Sequence, residues 1–221
     1  MSGERTTRVG EFERAFTAAL LAGDQISAET TIREAMDAKL SSAEIDDGII
    51  APALWQIGEL WQRGEITVAD EHLATEISIR VLALQREAER VAETRRERRV
   101  MLATPEGERH VVALRMVGNL LGGAGYWTVM LGPDVPAEAL AASVVRHCPD
   151  VVCLSVTMPA VATQMMDCIF LVQAACPTAQ FVVGGRGLTS VVRTQAGVGI
   201  CERVSEVVEA VDASVMRAGL N

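Results

Sequence analysis

Two glutamate–histidine groupings carry the residues with the most chemistry in this chain. Glu71-His72 follows Trp61 by ten positions in "PALWQIGELWQRGEITVADEHLAT", and Glu108-Arg109-His110 closes "TPEGERH". In the second grouping a carboxylate two residues from an imidazole can hold one ring nitrogen and leave the other pointing outward as a metal ligand. In the first, an indole offers a rigid apolar wall and a carboxylate accepts hydrogen bonds from hydroxyls. Together they read as a cap and a metal ligand for one large cofactor. Two further groups belong with them: Ser155-Val156-Thr157, with hydroxyls on alternate positions, and Gly184-Gly185-Arg186-Gly187, where backbone must pass close to something. Each has a plain structural account, since hydroxyls cap strands and glycines make tight connections. Their recurrence is the signal.

The elements that must position these residues fall into two halves. From about 6 to 95 the apolar residues recur three and four apart, as in helices. Phe12, Phe16, Ala19 and Leu20 share a face of the first helix, which "AGD" at 22–24 stops. The second runs from about 25 to 38 with Ile26, Ile32 and Met36 inward. Ser41 and Glu44 form a capping box for the third, which carries Ile45, Ile49, Ile50, Leu54, Ile57 and Leu60, kinks at Pro52 and ends at Gly64. Thr67 and Asp70 start a long fourth helix through Ile77, Val81 and Leu84. Four amphipathic helices on short loops make a four-helix bundle over residues 1–95. Trp55 reads as one of its core residues.

Beyond Arg99 the pattern changes to "RVMLAT", "YWTVML", "DVVCLSV" and "QFVVGG", short β-branched runs each followed by a helix-compatible stretch. Runs apolar on both faces and separated by helices predict a doubly wound parallel sheet over 96–221, of flavodoxin or Rossmann type, with about five strands. In such sheets ligands bind outside the carboxyl ends of the strands. "PEGERH", "GPDVP", "TMPA" and "GGRG" occupy those places, so the unusual residues of the second half share one edge.

Composition narrows the class. The 221 residues carry a formal charge of −9, which repels a phosphate backbone and argues against direct nucleic-acid binding. The basic run "RRERR" at 95–99 is interleaved with Glu93 and Glu97 and reads as a solvated linker. The five cysteines, at 148, 153, 168, 176 and 201, form no C-x-x-C pair and read as reduced, mostly packed thiols. Without an apolar leader or a run long enough to span a bilayer, the protein is expected to be soluble and cytoplasmic.

The motifs on the sheet edge resemble the base-off, histidine-on cobalamin-binding domain. That resemblance implies that His110 ligates cobalt in place of the cofactor's own dimethylbenzimidazole and that Glu108 orients it. It also implies that Ser155 and Thr157 contact the displaced nucleotide tail and that Gly184 and Gly185 line its slot, with Arg109 and Gly187 as neighbouring cofactor-binding residues. The widespread pattern is Asp-x-His-x-x-Gly, and this chain departs from it at Glu108 and Ala113. Trp61 with Glu71-His72 is similar to the signature of the light-responsive, adenosylcobalamin-binding regulators of the CarH type, in which the bundle covers the upper face of the corrin.

The resemblance implies a sensor rather than an enzyme, without catalytic residues, whose output is self-association or contact with a partner protein. Those regulators carry a DNA-binding domain ahead of the bundle. With few residues before its first helix, this chain is expected to be the sensor without that reader. Gln62 stands where some members have a histidine that takes the upper cobalt position after light, leaving His72 or water for that place. Two alternatives stay open: a photocobilin that also holds a bilin such as biliverdin, noncovalently because the bundle has no cysteine, and a corrinoid methyl carrier of a methyltransferase system.

Overall fold

Three side-chain caps set the starts of the bundle helices. Asp24 accepts the Ser27 N–H at 3.0 Å. Ser41 and Glu44 satisfy each other's backbone, Ser41 N–H donating to Glu44 Oε2 at 2.9 Å and Glu44 N–H to Ser41 Oγ at 3.3 Å. Thr67 N–H donates to Asp70 Oδ2 at 2.8 Å, and the Asp70 N–H returns to Thr67 Oγ1 at 3.3 Å. Each satisfies donors that a helix start leaves unmatched. The computed structural model describes residues 2–88, 96–189, 195 and 197–218. Its contacts divide the chain into two compact units, Met1–Arg90 and Val91–Asn221.

In the first unit the helices are α1 (Ser2–Leu21), α2 (Gln25–Asp37), α3 (Ser42–Ile45), α4 (Ala51–Gln62) and α5 (Val68–Ala88). Between α3 and α4 lies a π-helical turn, Asp46–Ile50. The expected kink at Pro52 takes this form: the Ala51 N–H reaches back five residues to the Asp46 carbonyl, which widens the ladder just ahead of the proline. Phe16, Leu20, Ile32, Ile45, Ile49, Ile50, Ile57, Ile77 and Val81 are buried between the helices. α2 and α5 are also joined by Glu29, which accepts from Arg80 Nε at 2.6 Å.

Two inward assignments do not hold. Ile26 is 77% exposed, because the buried face of α2 is Ala28, Thr31, Ile32 and Ala35, and a residue six positions before Ile32 falls on another side of the helix. Trp55 is 49% exposed, since Ala53 and Ile57 take the buried stripe of α4 on either side of it.

The second unit holds β1 (Arg99–Pro105), α6 (Val112–Gly123), β2 (Trp127–Val135), α7 (Ala137–His147), β3 (Val151–Ser155), α8 (Ala162–Ala175), β4 (Gln180–Gly184), β5 (Val198–Cys201) and α9 (Val207–Ala218). All pairings are parallel, in the order β2-β1-β3-β4-β5. Alternate residues of the central strands feed two cores. Met101, Val152, Leu154, Phe181 and Val183 pack with α7 and α8 on one face. Val100, Leu102, Val151, Cys153 and Val182 pack with α6 and α9 on the other. That two-sided burial is why these strands read as unbroken apolar runs.

The described part of the basic run, 96–99, is exposed as a solvated segment, with its arginines paired. Arg96 pairs with Asp212 and stacks 4.5 Å from the centre of the Tyr126 ring. Arg98 meets Asp150 at 2.7 Å, and Arg99 lies 4.9 Å from the Trp127 ring centre. Arg95 and Glu93 lie outside the described residues. β2 extends through "GPDV", which reads from sequence as a loop, because pairing with β1 resumes after two register irregularities, Ala103 meeting Gly132 and Pro105 meeting Val135.

The glycines after β4 are dictated by backbone crowding. At Gly185, φ is +108°, and a Cβ would stand 2.1 Å from the Val156 carbonyl oxygen. Gly132 shares a positive φ, +93°, but a Cβ there meets open space. Gly132→Ala is therefore expected to cost about 1–2 kcal/mol, the strain of a left-handed backbone alone. Gly185→Ala should cost at least about 2 kcal/mol more through the clash. Urea unfolding of the two variants at neutral pH checks the difference, and equal losses would contradict it.

Candidate functional site

In a sheet of this order the topological switch lies between β1 and β3, whose following segments depart to opposite faces and leave a crevice at the carboxyl ends. The loop after β1 delivers Glu108 and His110, and the segment after β3 delivers Thr157 and Met158. A single carboxylate joins them. Glu108 is fully buried; its Oε1 accepts from the His110 backbone N–H at 3.0 Å and lies 2.5 Å from His110 Nδ1. Its Oε2 accepts the N–H groups of Thr157 at 2.6 Å and Met158 at 2.9 Å.

Burial raises the Glu108 carboxyl, but hydrogen bonds from the His110 side chain and from the backbone of His110, Met158 and Thr157 outweigh it and bring the group down to about 2. Glu108 is therefore an anion at neutral pH, and the proton it faces belongs to Nδ1. That assigns the lone pair of the neutral ring to Nε2. The His110 side chain is 48% exposed.

The loop that presents this pair is held by two residues that the sequence reading did not single out. The buried Thr104 hydroxyl donates to the Glu108 carbonyl at 2.5 Å. Asp134 Oδ1 accepts the Gly107 N–H at 2.7 Å, and the Asp134 N–H lies 3.0 Å from both the Glu108 carbonyl and Thr104 Oγ1. Asp134 has φ +60°. An aspartate after Gly-Pro at a strand end was the available signal, because such residues tolerate that conformation and bond nearby backbone. Arg109 extends into solvent with Nε 3.7 Å from Asp134 Oδ2.

Ser155 is buried at the end of β3, in register with Gly184. The loop after β4 lies directly against the segment after β3: Val156 N–H donates to the Gly184 carbonyl and Gly187 N–H to the Val156 carbonyl, each at 3.0 Å. A Cβ on Gly187 would approach the Thr157 and Met158 backbone to 2.8 Å, and one on Gly184 the Cys201 carbonyl to 3.1 Å. These glycines allow two loops to meet. The structure thus gathers Glu108, His110, Ser155, Thr157, Gly184, Gly185 and Gly187 along one edge.

Trp61, Glu71 and His72 belong to the other unit. Trp61 lies in the last turn of α4, which closes in a Schellman motif: Gly64 N–H bonds the Trp61 carbonyl and Glu65 N–H the Leu60 carbonyl, both at 2.9 Å. Glu71 and His72 lie in the first turns of α5, across a short loop, so the three share one end of the bundle. The α1–α2 turn reaches the same end, where a Cβ on Gly23 would touch Leu73 at 2.8 Å. Trp61, Val68 and Leu73 are all exposed there, the indole at 43%. His72 Nδ1 lies 2.6 Å from Glu71 Oε2, and Thr75 Oγ1 donates to Glu71 Oε1 at 3.1 Å.

A helical unit followed by a 2-1-3-4-5 parallel sheet, with a carboxylate-held imidazole at the switch point, defines a cofactor-binding protein of the corrinoid-protein fold. The chain belongs to the B12 binding domain family: one B12 binding domain model matches residues 13–85 and a second matches 98–212. It is 31% identical over 191 residues to the HTH-type transcriptional repressor CarH of Myxococcus xanthus, covering 84% of this chain and 60% of that protein. It is 28% identical over 138 residues to the trimethylamine corrinoid protein of Methanosarcina barkeri, covering 61% of this chain and 63% of that one. The chain thus spans less than two thirds of either relative. Its fold matches the structure of the Methanosarcina barkeri monomethylamine corrinoid protein with a TM-score of 0.76 and 17% identity, over 94% of this chain and 99% of that one. Among the described residues, no helix is long and apolar enough to cross a membrane.

The donor set fits a cobalamin. One oriented, half-exposed imidazole nitrogen is what a metal already chelated by a macrocycle needs from a protein.

The Glu108 bridge has a pH signature. A carboxyl brought down from 4.5 to about 2 in the folded state contributes roughly 3 kcal/mol. Because the folded value is the lower one, the contribution is complete above the unfolded carboxyl range and disappears as the pH falls towards 2. Glu108→Gln should lose roughly that amount at pH 7 and show a flatter decline in stability on acidification than the parent protein. Chemical denaturation at a series of pH values measures both, and parallel curves would refute the bridge.

Proposed function

We propose that this chain is a light-responsive sensor that binds adenosylcobalamin, with His110 as the protein's ligand to cobalt. The observation that carries the reading is the cluster at one end of the bundle: an exposed Trp61 beside a Glu71–His72 pair already held in place. A carrier of methyl groups has no need of an apolar wall and a hydroxyl acceptor sized for an adenosyl group. Identity to CarH over most of the chain supports the same reading.

When bound, adenosylcobalamin supplies a cobalt–carbon bond that visible light cleaves. The chain's own residues do the rest. His110 donates the Nε2 lone pair to the metal, and Glu108 keeps the proton on Nδ1. The Ser155 and Thr157 hydroxyls, the backbone at Gly184, Gly185 and Gly187, and Arg109 would hold the cofactor's nucleotide portion. Trp61 packs on the adenosyl group, while Glu71 and His72 bond its hydroxyls. Loss of those contacts would change the ligand that the bundle holds, with self-association or engagement of a partner protein as the output.

A second reading, a corrinoid carrier in a methyltransferase system, is favoured by the identity to the trimethylamine corrinoid protein. One reconstitution separates the two. The protein loaded with adenosylcobalamin in the dark should change both its absorption spectrum and its size-exclusion profile after green light, and Trp61→Ala should weaken retention of the adenosyl form about tenfold or more. An unchanged spectrum after illumination would reject the sensor. His110→Ala should abolish the histidine-ligated spectrum, and a variant that keeps it would reject the ligand assignment.

A further inference from the structure

At the amino edge of the sheet, opposite the cofactor edge, a two-residue pattern occurs twice. α7 ends at Cys148-Pro149 and α8 at Cys176-Pro177, each cysteine occupying the helix C-cap. The Cys148 N–H closes α7 on the Val144 carbonyl at 2.8 Å, and the Cys176 N–H closes α8 on the Val172 carbonyl at 2.7 Å. The two helices pack together on one face of the sheet and lead into neighbouring strands. Val151 of β3 pairs with Gln180 of β4, and the connection is already drawn together ahead of that pair, Gln180 N–H donating to the Asp150 carbonyl at 3.2 Å.

The cysteines stand three and four residues before these paired positions. A disulfide joins Cα atoms about 4.4–6.8 Å apart, so closing the pair draws these helix ends together; in the reduced state the Cys148 thiol bonds the Val145 carbonyl at 3.4 Å and the Cys176 thiol lies 3.6 Å from Thr178 Oγ1. Both residues line one depression, with Arg98, Pro149, Asp150 and Thr178 around them.

Their exposure sets these two apart from the other three. Cys153, Cys168 and Cys201 are buried, whereas Cys148 is exposed and Cys176 partly so. Burial pushes the Cys153 thiol above its usual range and the Cys168 thiol up to about 12, which makes both poor nucleophiles. Cys148 also adopts a left-handed backbone, φ +46° and ψ 57°, a conformation that favours glycine or asparagine at a helix end. A cysteine has no conformational advantage there.

We propose that Cys148 and Cys176 form a reversible redox pair, closing to a disulfide that links the ends of α7 and α8. Each thiol gives up one proton and one electron, the sulfur–sulfur bond forms, and a two-electron oxidant of the disulfide or peroxide class is reduced. In the reduced state the two ends are held by helix packing and the sheet alone; in the oxidised state a covalent link joins them. This inference is independent of the cobalamin reading, because it concerns the opposite edge of the sheet.

Treating the intact protein with diamide, whose N=N bond takes up the two protons and two electrons, tests it directly. The native chain should lose two of its five thiols, peptide mapping should recover a Cys148–Cys176 link, and dithiothreitol should restore all five. Cys148→Ser and Cys176→Ser should each lose none under the same treatment. Thermal unfolding under non-reducing conditions should occur at higher temperature in the oxidised parent and be unaltered in either variant. Retention of all five thiols, a link between any other pair, or a disulfide-bonded dimer as the main product would overturn the proposal.

Discussion

One carboxylate holds the cofactor edge together. Glu108 receives four hydrogen bonds, two from His110 and two from backbone groups 49 and 50 residues further on. It is buried, so each of those donors is worth more than it would be in water, and removing the anion would leave all of them without a charged acceptor. The orientation of the imidazole and the closeness of the β1 and β3 loops are thus one structural fact. The glycine loop after β4 extends it, because Gly185 and Gly187 allow that loop to lie on the very residues, Val156 to Met158, whose N–H groups Glu108 collects.

The bundle repeats the device in simpler form. Glu71 holds His72 through Nδ1 as Glu108 holds His110, and Thr75 steadies Glu71 as Thr104 and Asp134 steady the β1 loop. The difference is exposure. Glu108 is sealed beside a half-exposed His110, whereas the Glu71 and His72 side chains are 22% and 73% accessible, so that pair stays in reach of water.

Much of this was legible in the sequence, for identifiable reasons. Helix starts were readable because Ser41–Glu44 and Thr67–Asp70 announce caps by residue type. The sheet was readable because strands buried on both faces leave unbroken apolar runs. Glu108 and His110 were readable because a two-residue spacing puts a carboxylate within reach of its own imidazole. What escaped was whatever depends on backbone. The N–H groups of Thr157 and Met158 carry no residue letter, and the roles of Thr104 and Asp134 arise from a strand pairing that the local sequence does not reveal. Ile26 and Trp55 were misplaced for the opposite reason. Hydrophobicity alone does not imply burial where α2 and α4 fill their inward stripes with Ala28, Ile32, Ala53 and Ile57. The exposed indole at 55 is a reminder that large apolar residues are informative when they remain outside.

The low proton affinity of Glu108 also bears on the protonation of the imidazole beside it. A carboxyl held at about 2 stays ionised throughout the range in which an imidazole is neutral. The tautomer of His110 is therefore a constant of the folded protein and does not vary with the medium. An anion on Nδ1–H also makes Nε2 a stronger donor, and it offsets the positive charge that the ring acquires when Nε2 bonds a metal. Replacing the widespread aspartate by a glutamate keeps both effects while lengthening the reach by one methylene. In this chain that carboxylate reaches backbone groups on the far side of the crevice, so the orientation of the imidazole and the closure of the loops around it are set by the same two oxygen atoms.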